Sequence, residues 1–313
     1  MALEDGARLL VETAASFVTP ALAEEVRSSL NALLEQQGEE ARRELLRRLV
    51  TTGEGWGYFP PNRLARRINF ALGELTVTRD SALHGARNLP GVGTPSVYLA
   101  NHLSFSDANL FAYLLEREGH AESVERLCVL AGPKVFTEAF RRFSSLCFGA
   151  IKLPQSPSRA SGEAVMPRRE VARLAAETIS TCEERLRGGD HLLIFVEGTR
   201  SRAAAMQPAL GAVSRYLEVP GTQIVPLALT GTEHLVPIGE EHAHTTHVDA
   251  RIGRAISAEA LADASEGKRG TQMHAVGLAI ARLLPESYRG FYADETQAEL
   301  APAVTALDAL EAR

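Results

Sequence analysis

The chain has 313 residues, 45% hydrophobic and 23% charged, a globular balance that excludes extended disorder. A formal net charge of -6 argues against broad nucleic-acid binding and leaves room only for a local basic pocket. The start, MALEDGARLLVETAASF, lacks the basic lead and long apolar centre of a signal peptide, and no run approaches the ~18 apolar residues that span a bilayer.

In chain order, residues 1 to about 50 read as helices: Leu30, Leu33 and Leu34, then Leu45, Leu46 and Leu49, follow i, i+3, i+4 spacing with charges between them. TTGEGWGYFPPN, Thr51 to Asn62, breaks that pattern with glycines and prolines and reads as a linker. The expected division is therefore an N-terminal helical region over 1–60 and an α/β domain over 61–313. RLARRINFALGELTVTRD passes from helical to strand-like character near Leu75 to Thr78.

Beyond it strands and helices alternate. Strands are expected over Ser96–Ala100, Arg126–Ala131, Ala150–Leu153, His191–Val196, Gln223–Leu229 and His247–Ile252. Helices are expected over Asp107–Glu118, Lys134–Phe143, Arg168–Arg187, Ala209–Glu218 and Gly270–Leu284. Apolar strands separated by helices imply an α/β fold, a largely parallel central sheet flanked by helices, with the helical segment in front of it. In such sheets ligands bind beyond the carboxyl ends of the strands. Cys128, Cys147 and Cys182 form no C-x-x-C pair and read as reduced core cysteines, which fits a cytoplasmic location.

Two strand ends carry polar motifs. In NHLSFSD, Asn101 to Asp107, His102 stands in a turn and Asp107 at a helix start. Across that turn Asp107 can accept a hydrogen bond from one ring nitrogen and leave the other free as a base. The same residues also suit a turn-capping histidine and an acid that complements the helix dipole, and the heptapeptide alone leaves both open. HLLIFVEGTRSR, His191 to Arg202, repeats the architecture, with Glu197, Gly198, Thr199, Arg200 and Arg202 beyond an apolar strand. Glycine permits close backbone approach to a ligand, and paired arginines suit a phosphate or carboxylate; a solvated turn with an internal ion pair is the other reading.

Together, NH-x₄-D followed by F-x-E-G-T-R-S-R resembles the glycerolipid acyltransferases, the family of glycerol-3-phosphate and lysophosphatidic acid acyltransferases. CFGAIKLPQ, Cys147 to Gln155, and IVPLALTGTE, Ile224 to Glu233, are similar to two further family blocks, so the resemblance covers roughly residues 75 to 290. It implies transfer of a fatty acyl group from acyl-CoA or acyl carrier protein to a hydroxyl of 1-acylglycerol 3-phosphate or glycerol 3-phosphate. His102 would be the general base and Asp107 its partner, with direct attack and no acyl-enzyme. Lys152, Glu197, Gly198, Thr199, Arg200 and Arg202 would bind the acceptor phosphate. It implies no cofactor and no metal, only the acyl donor as co-substrate, and phospholipid biosynthesis at the cytoplasmic side, with a peripheral membrane contact allowed.

The chain departs from the family in having Val196 where proline is common and in offering no lysine in PALGAV, Pro208 to Val213. That keeps an acyltransferase with a non-glycerol acceptor open, and a metal-dependent phosphoesterase using His102 and Asp107 is the alternative from another class. His242, His244 and His247 in HAHTTH read as a polar connection. Basic residues in RRELLRR and RRF read as solvated helix faces or as a patch for anionic lipid or an acidic carrier. LFAYLL, Leu110 to Leu115, reads as core, with one edge able to line an acyl channel.

Overall fold

Strand SVYLA is buried at every position because it is covered on both faces. Tyr98 and Ala100 join one hydrophobic core, Val97 and Leu99 the other. The computed structural model describes residues 3–91, 93–154 and 166–312. Among these, one sheet contains β1 (Gly57–Phe59), β2 (Ala82–His84), β3 (Ser96–Ala100), β4 (Leu127–Ala131), β5 (Gly149–Lys152), β6 (His191–Phe195), β7 (Gln223–Thr230), β8 (Asp249–Ile252) and β9 (Ile256–Ser257). Its order is β1-β5-β4-β6-β3-β7-β8-β2, with β9 alongside β7. The five central strands β5, β4, β6, β3 and β7 run parallel, as does β2 with β8; β1, β9 and the β7–β8 pair add antiparallel contacts.

The helices are α1 (Leu3–Phe17), α2 (Pro20–Glu35), α3 (Glu39–Thr51), α4 (Arg63–Thr76), α5 (Asp107–Arg117), α6 (Ala121–Glu125), α7 (Ala139–Ser145), α8 (Arg168–Arg187), α9 (Ala258–Ala264), α10 (Arg269–Ala281), α11 (Glu286–Arg289) and α12 (Ala301–Glu311). On one face Val11, Val26, Leu30 and Leu45 of the N-terminal helices share a core with α4, α5 and the inward residues of β3, β6 and β7. On the other, Cys182 and Leu186 of α8, Met273 and Ile280 of α10 and Leu307 of α12 cover the sheet. The α/β architecture is thus the one the alternating pattern predicts. The cysteines are buried and free, and burial pushes their thiols up.

Several local expectations differ from what forms. Leu75–Thr78 is not a strand: α4 continues to Thr76, and Val77 makes only an isolated bridge to Thr246. The expected helix over Lys134–Phe143 splits into a 3₁₀ turn at Pro133–Phe136 and α7, because Glu138 is extended at φ -107, ψ 142. Ala209–Glu218 contains a 3₁₀ segment at Gly211–Leu217 instead of an α-helix. Within the glycine-rich stretch read as a linker, Gly57–Phe59 pairs with β5 and forms the sheet edge. Such two- and three-residue strands are too short to show a period of two.

Candidate active site

Position in the sheet explains why the motifs meet. Ala100, the last residue of β3, pairs with Phe195, the last of β6, and with Leu227 of β7. The loop after β3 therefore emerges between the loops that follow β6 and β7.

Asp107, the first residue of α5, folds back over its own turn, with its side chain 1% exposed. A buried carboxylate needs donors, and this one has four. Oδ2 lies 2.8 Å from His102 Nδ1 and accepts from Leu103 N at 2.8 Å, while Oδ1 accepts from Ser104 N at 3.0 Å and Thr232 Oγ1 at 2.5 Å. Facing an acceptor, Nδ1 is assigned the proton, which leaves Nε2 as the basic nitrogen. The Phe195 ring stacks on the imidazole at 4.2 Å and 17°, fixing its plane. Thr232 reaches Asp107 because Gly231 turns with φ +82; a Cβ there would meet His247 O at 1.9 Å.

The loop after β6 is stitched to the same turn. His102 N donates to Glu197 Oε1 at 2.9 Å, and Ser201 N donates to His102 O at 2.8 Å. Glu197 Oε2 accepts from Gln207 N at 2.9 Å, so both oxygens of this buried side chain are taken by backbone. Burial pushes its carboxyl above the ordinary range, against the opposing pull of those two N–H groups. Gly198, at φ +66, makes the turn that follows. Gly198, Thr199 and Arg202 are exposed and Arg200 is half-buried.

Arg200 lies with its guanidinium carbon 4.3 Å from the centre of the Phe105 ring, and Arg141 of α7 lies 4.2 Å from the same centre. Burial first, then the positive charge of Arg141, holds Arg200 below its ordinary value. Next door, Arg142 donates to the carbonyls of Phe136, Leu49 and Val50 and so pins α7 to α3. One arginine of the RRF run is a structural tie while the other faces the site.

The structure thus brings His102, Asp107, Glu197 and Arg200 into one corner, with Gly198, Thr199 and Arg202 on the same loop. Lys152 has contacts of its own: Nζ donates to Gly53 O at 2.7 Å and lies 4.8 Å from the Trp56 ring centre. β4 separates β5 from β6, so Lys152 starts two strand spacings, on the order of 10 Å, from the arginine loop. Gln155, which closes the CFGAIKLPQ block, lies outside the described residues. Ser201 and Thr232 carried no role in the sequence reading, although Thr232 stands inside the IVPLALTGTE stretch, and Arg141 figured there only as part of the RRF basic run.

Beneath this corner a mostly apolar cavity is lined by Ser106, Leu110 and Tyr113 of the α5 turn and helix, by Phe140 and Phe143 of α7, and by α1 and α4. Spacings of four and three put Ser106, Leu110 and Tyr113 on one helical face. Among the described residues no group of three or more His, Cys, Asp or Glu is arranged to hold a metal ion, and His244 is paired with Glu240. Among them, too, no helix is long and apolar enough to cross a membrane.

Comparison with known proteins gives matching results. Residues 80–230 match the family model Acyltransferase. A chloroplastic 1-acyl-sn-glycerol-3-phosphate acyltransferase of Brassica napus is 27% identical over 170 residues, 54% of this chain and 42% of that protein. One of Arabidopsis thaliana is 28% identical over 159 residues, 51% of this chain and 38% of that protein. The chain spans less than half the length of these relatives. Among solved structures, the 1-acyl-sn-glycerophosphate acyltransferase of Thermotoga maritima aligns with a TM-score of 0.46 at 16% identity, over 88% of this chain and 96% of that one.

Proposed function

We propose, since residues 80–230 match the Acyltransferase family model, that the chain moves a fatty acyl group from acyl-CoA or acyl carrier protein to a hydroxyl of 1-acylglycerol 3-phosphate or glycerol 3-phosphate. The observation that carries this reading is the His102 Nδ1–Asp107 Oδ2 contact at 2.8 Å beside an arginine loop bonded to the same turn. The acceptor hydroxyl gives its proton to His102 Nε2 as its oxygen attacks the thioester carbonyl. The thiolate then leaves and takes that proton from the imidazolium. Asp107 orients the ring and stabilises its charged form. No serine or cysteine is acylated on the way.

Arg200 and Arg202 bind the acceptor phosphate, with the Gly198–Thr199 backbone close to it. Glu197 acts through the loop it ties to His102. The apolar cavity beside Ser106, one wall of which comes from α1, is the surface assigned to part of the acyl chain. On this reading residues 1–60 are a helical region that completes the lipid site of the α/β part, 61–313. The reaction runs on the cytoplasmic side, at or near a membrane surface that receives the product.

The test is free-thiol release from palmitoyl-CoA with each acceptor in turn or none, for the protein and for His102→Ala. Acceptor-dependent release that falls about 10²- to 10⁴-fold in the variant is expected. Release without acceptor would make the protein a thioesterase, and near-normal turnover in the variant would remove His102 from the mechanism.

A further inference from the structure

Phe105 stands at the tip of the turn between His102 and Asp107, a large apolar ring 39% exposed. Two guanidiniums from different elements converge on it, Arg200 at 4.3 Å and Arg141 at 4.2 Å from the ring centre. A ring face attracts one cation readily, but two like charges so close repel each other. Arg141 indeed disfavours the charged form of Arg200, and Arg202 adds to that effect. An anion seated between them relieves this repulsion, and arginines offer it bidentate hydrogen bonds. Arg141 has one carboxylate partner within its own element's reach, Glu138 at 3.2 Å, whose side chain is 61% exposed.

We propose that Arg141 is a third phosphate-binding arginine, which with Arg200 and Arg202 holds the phosphate monoester of the acceptor beside the Phe105 ring, while Glu138 competes with that phosphate for Arg141. This rests on the reading given under Proposed function. The acceptor is favoured over the donor because Phe105 is three residues from the base. In glycerol phosphates the anion and the reacting hydroxyl share one short carbon chain, whereas the phosphates of a CoA lie a pantetheine arm away from the thioester. The third cation of the site then comes from α7, the helix that carries Arg141 beside the Phe105 ring.

Two variants of opposite sign test it, Arg141→Gln and Glu138→Gln. Calorimetric binding of glycerol 3-phosphate to the full chain, which needs no turnover, should weaken about tenfold or more in Arg141→Gln and tighten about twofold in Glu138→Gln. In turnover assays the acceptor KM should rise in Arg141→Gln by a similar factor, well beyond any change in kcat, with the acyl-donor KM unaltered. Unchanged glycerol 3-phosphate binding in Arg141→Gln, or a KM effect confined to the donor, overturns the proposal. If the protein binds glycerol 3-phosphate through Arg141 yet transfers no acyl group, this inference stands and the acyltransferase reading falls.

Discussion

The two sides of the site are built on opposite principles. On the Asp107 side four donors converge on one buried carboxylate, and His102 has its Nδ1, backbone N–H and C=O all engaged, with Nε2 left for a substrate. On the Phe105 side two guanidiniums share an exposed ring, and the carboxylate that pairs with Arg141, Glu138, is itself largely exposed. On the proposed mechanism the base must meet its proton in one geometry, which over-determined surroundings provide. A binding group is better left short of partners, because a fully satisfied arginine gains little from a ligand. The contrast separates what each side governs: substitutions on the first should strike turnover, those on the second affinity.

The hardest blow to this division is Asp107→Asn. Asparagine keeps the shape but presents an amide to donors that require an acceptor, and it frees His102 to adopt the other tautomer. Turnover should fall about 10²- to 10⁴-fold with acceptor affinity nearly unchanged. Parallel losses of affinity and turnover would mean that the two sides are one cooperative unit. Thr232→Val is milder. It removes the 2.5 Å hydroxyl donor to Oδ1 while leaving the other three donors in place. A hydrogen bond to a charged group contributes about 1.5–3 kcal/mol, read here as a lowered denaturant midpoint at constant slope. Turnover should drop less than in Asp107→Asn, and an unaltered midpoint would show that the remaining donors suffice.

Strand positions and the His102–Asp107 pair were legible in the sequence because they depend on local pattern: apolar runs, then a base and an acid across one short turn. What was not legible depends on strand order. Thr232 meets Asp107 because β7 lies beside β3, and Lys152 starts two strands from the arginine loop because β4 lies between β5 and β6. Nothing in a single sequence states these adjacencies. Arg141 was hidden for a second reason. An unbroken helix over Lys134–Phe143 would make its run of basic residues one solvated stripe, whereas the break at Glu138 starts a new helix and sends Arg141 and Arg142 to different tasks.

The smallest of the effects tests the seam between the two sides. Glu197→Gln keeps one acceptor oxygen but turns an NH₂ toward the second backbone N–H, which leaves that donor unsatisfied at a cost of about 1–3 kcal/mol. The gap between protein and variant should also depend on pH. Because burial holds the Glu197 carboxyl above its ordinary 4.5, the folded chain binds this proton more readily than the unfolded chain does. The carboxyl's contribution to stability is therefore largest below the ordinary value and is lost as pH rises through the raised one. Glutamine does not titrate, so the advantage of the glutamate should narrow as pH rises across that window in paired denaturation curves. A gap that widens instead would mean that the N–H groups of His102 and Gln207 outweigh burial, and that the seam holds Glu197 as a carboxylate at least as firmly as water does.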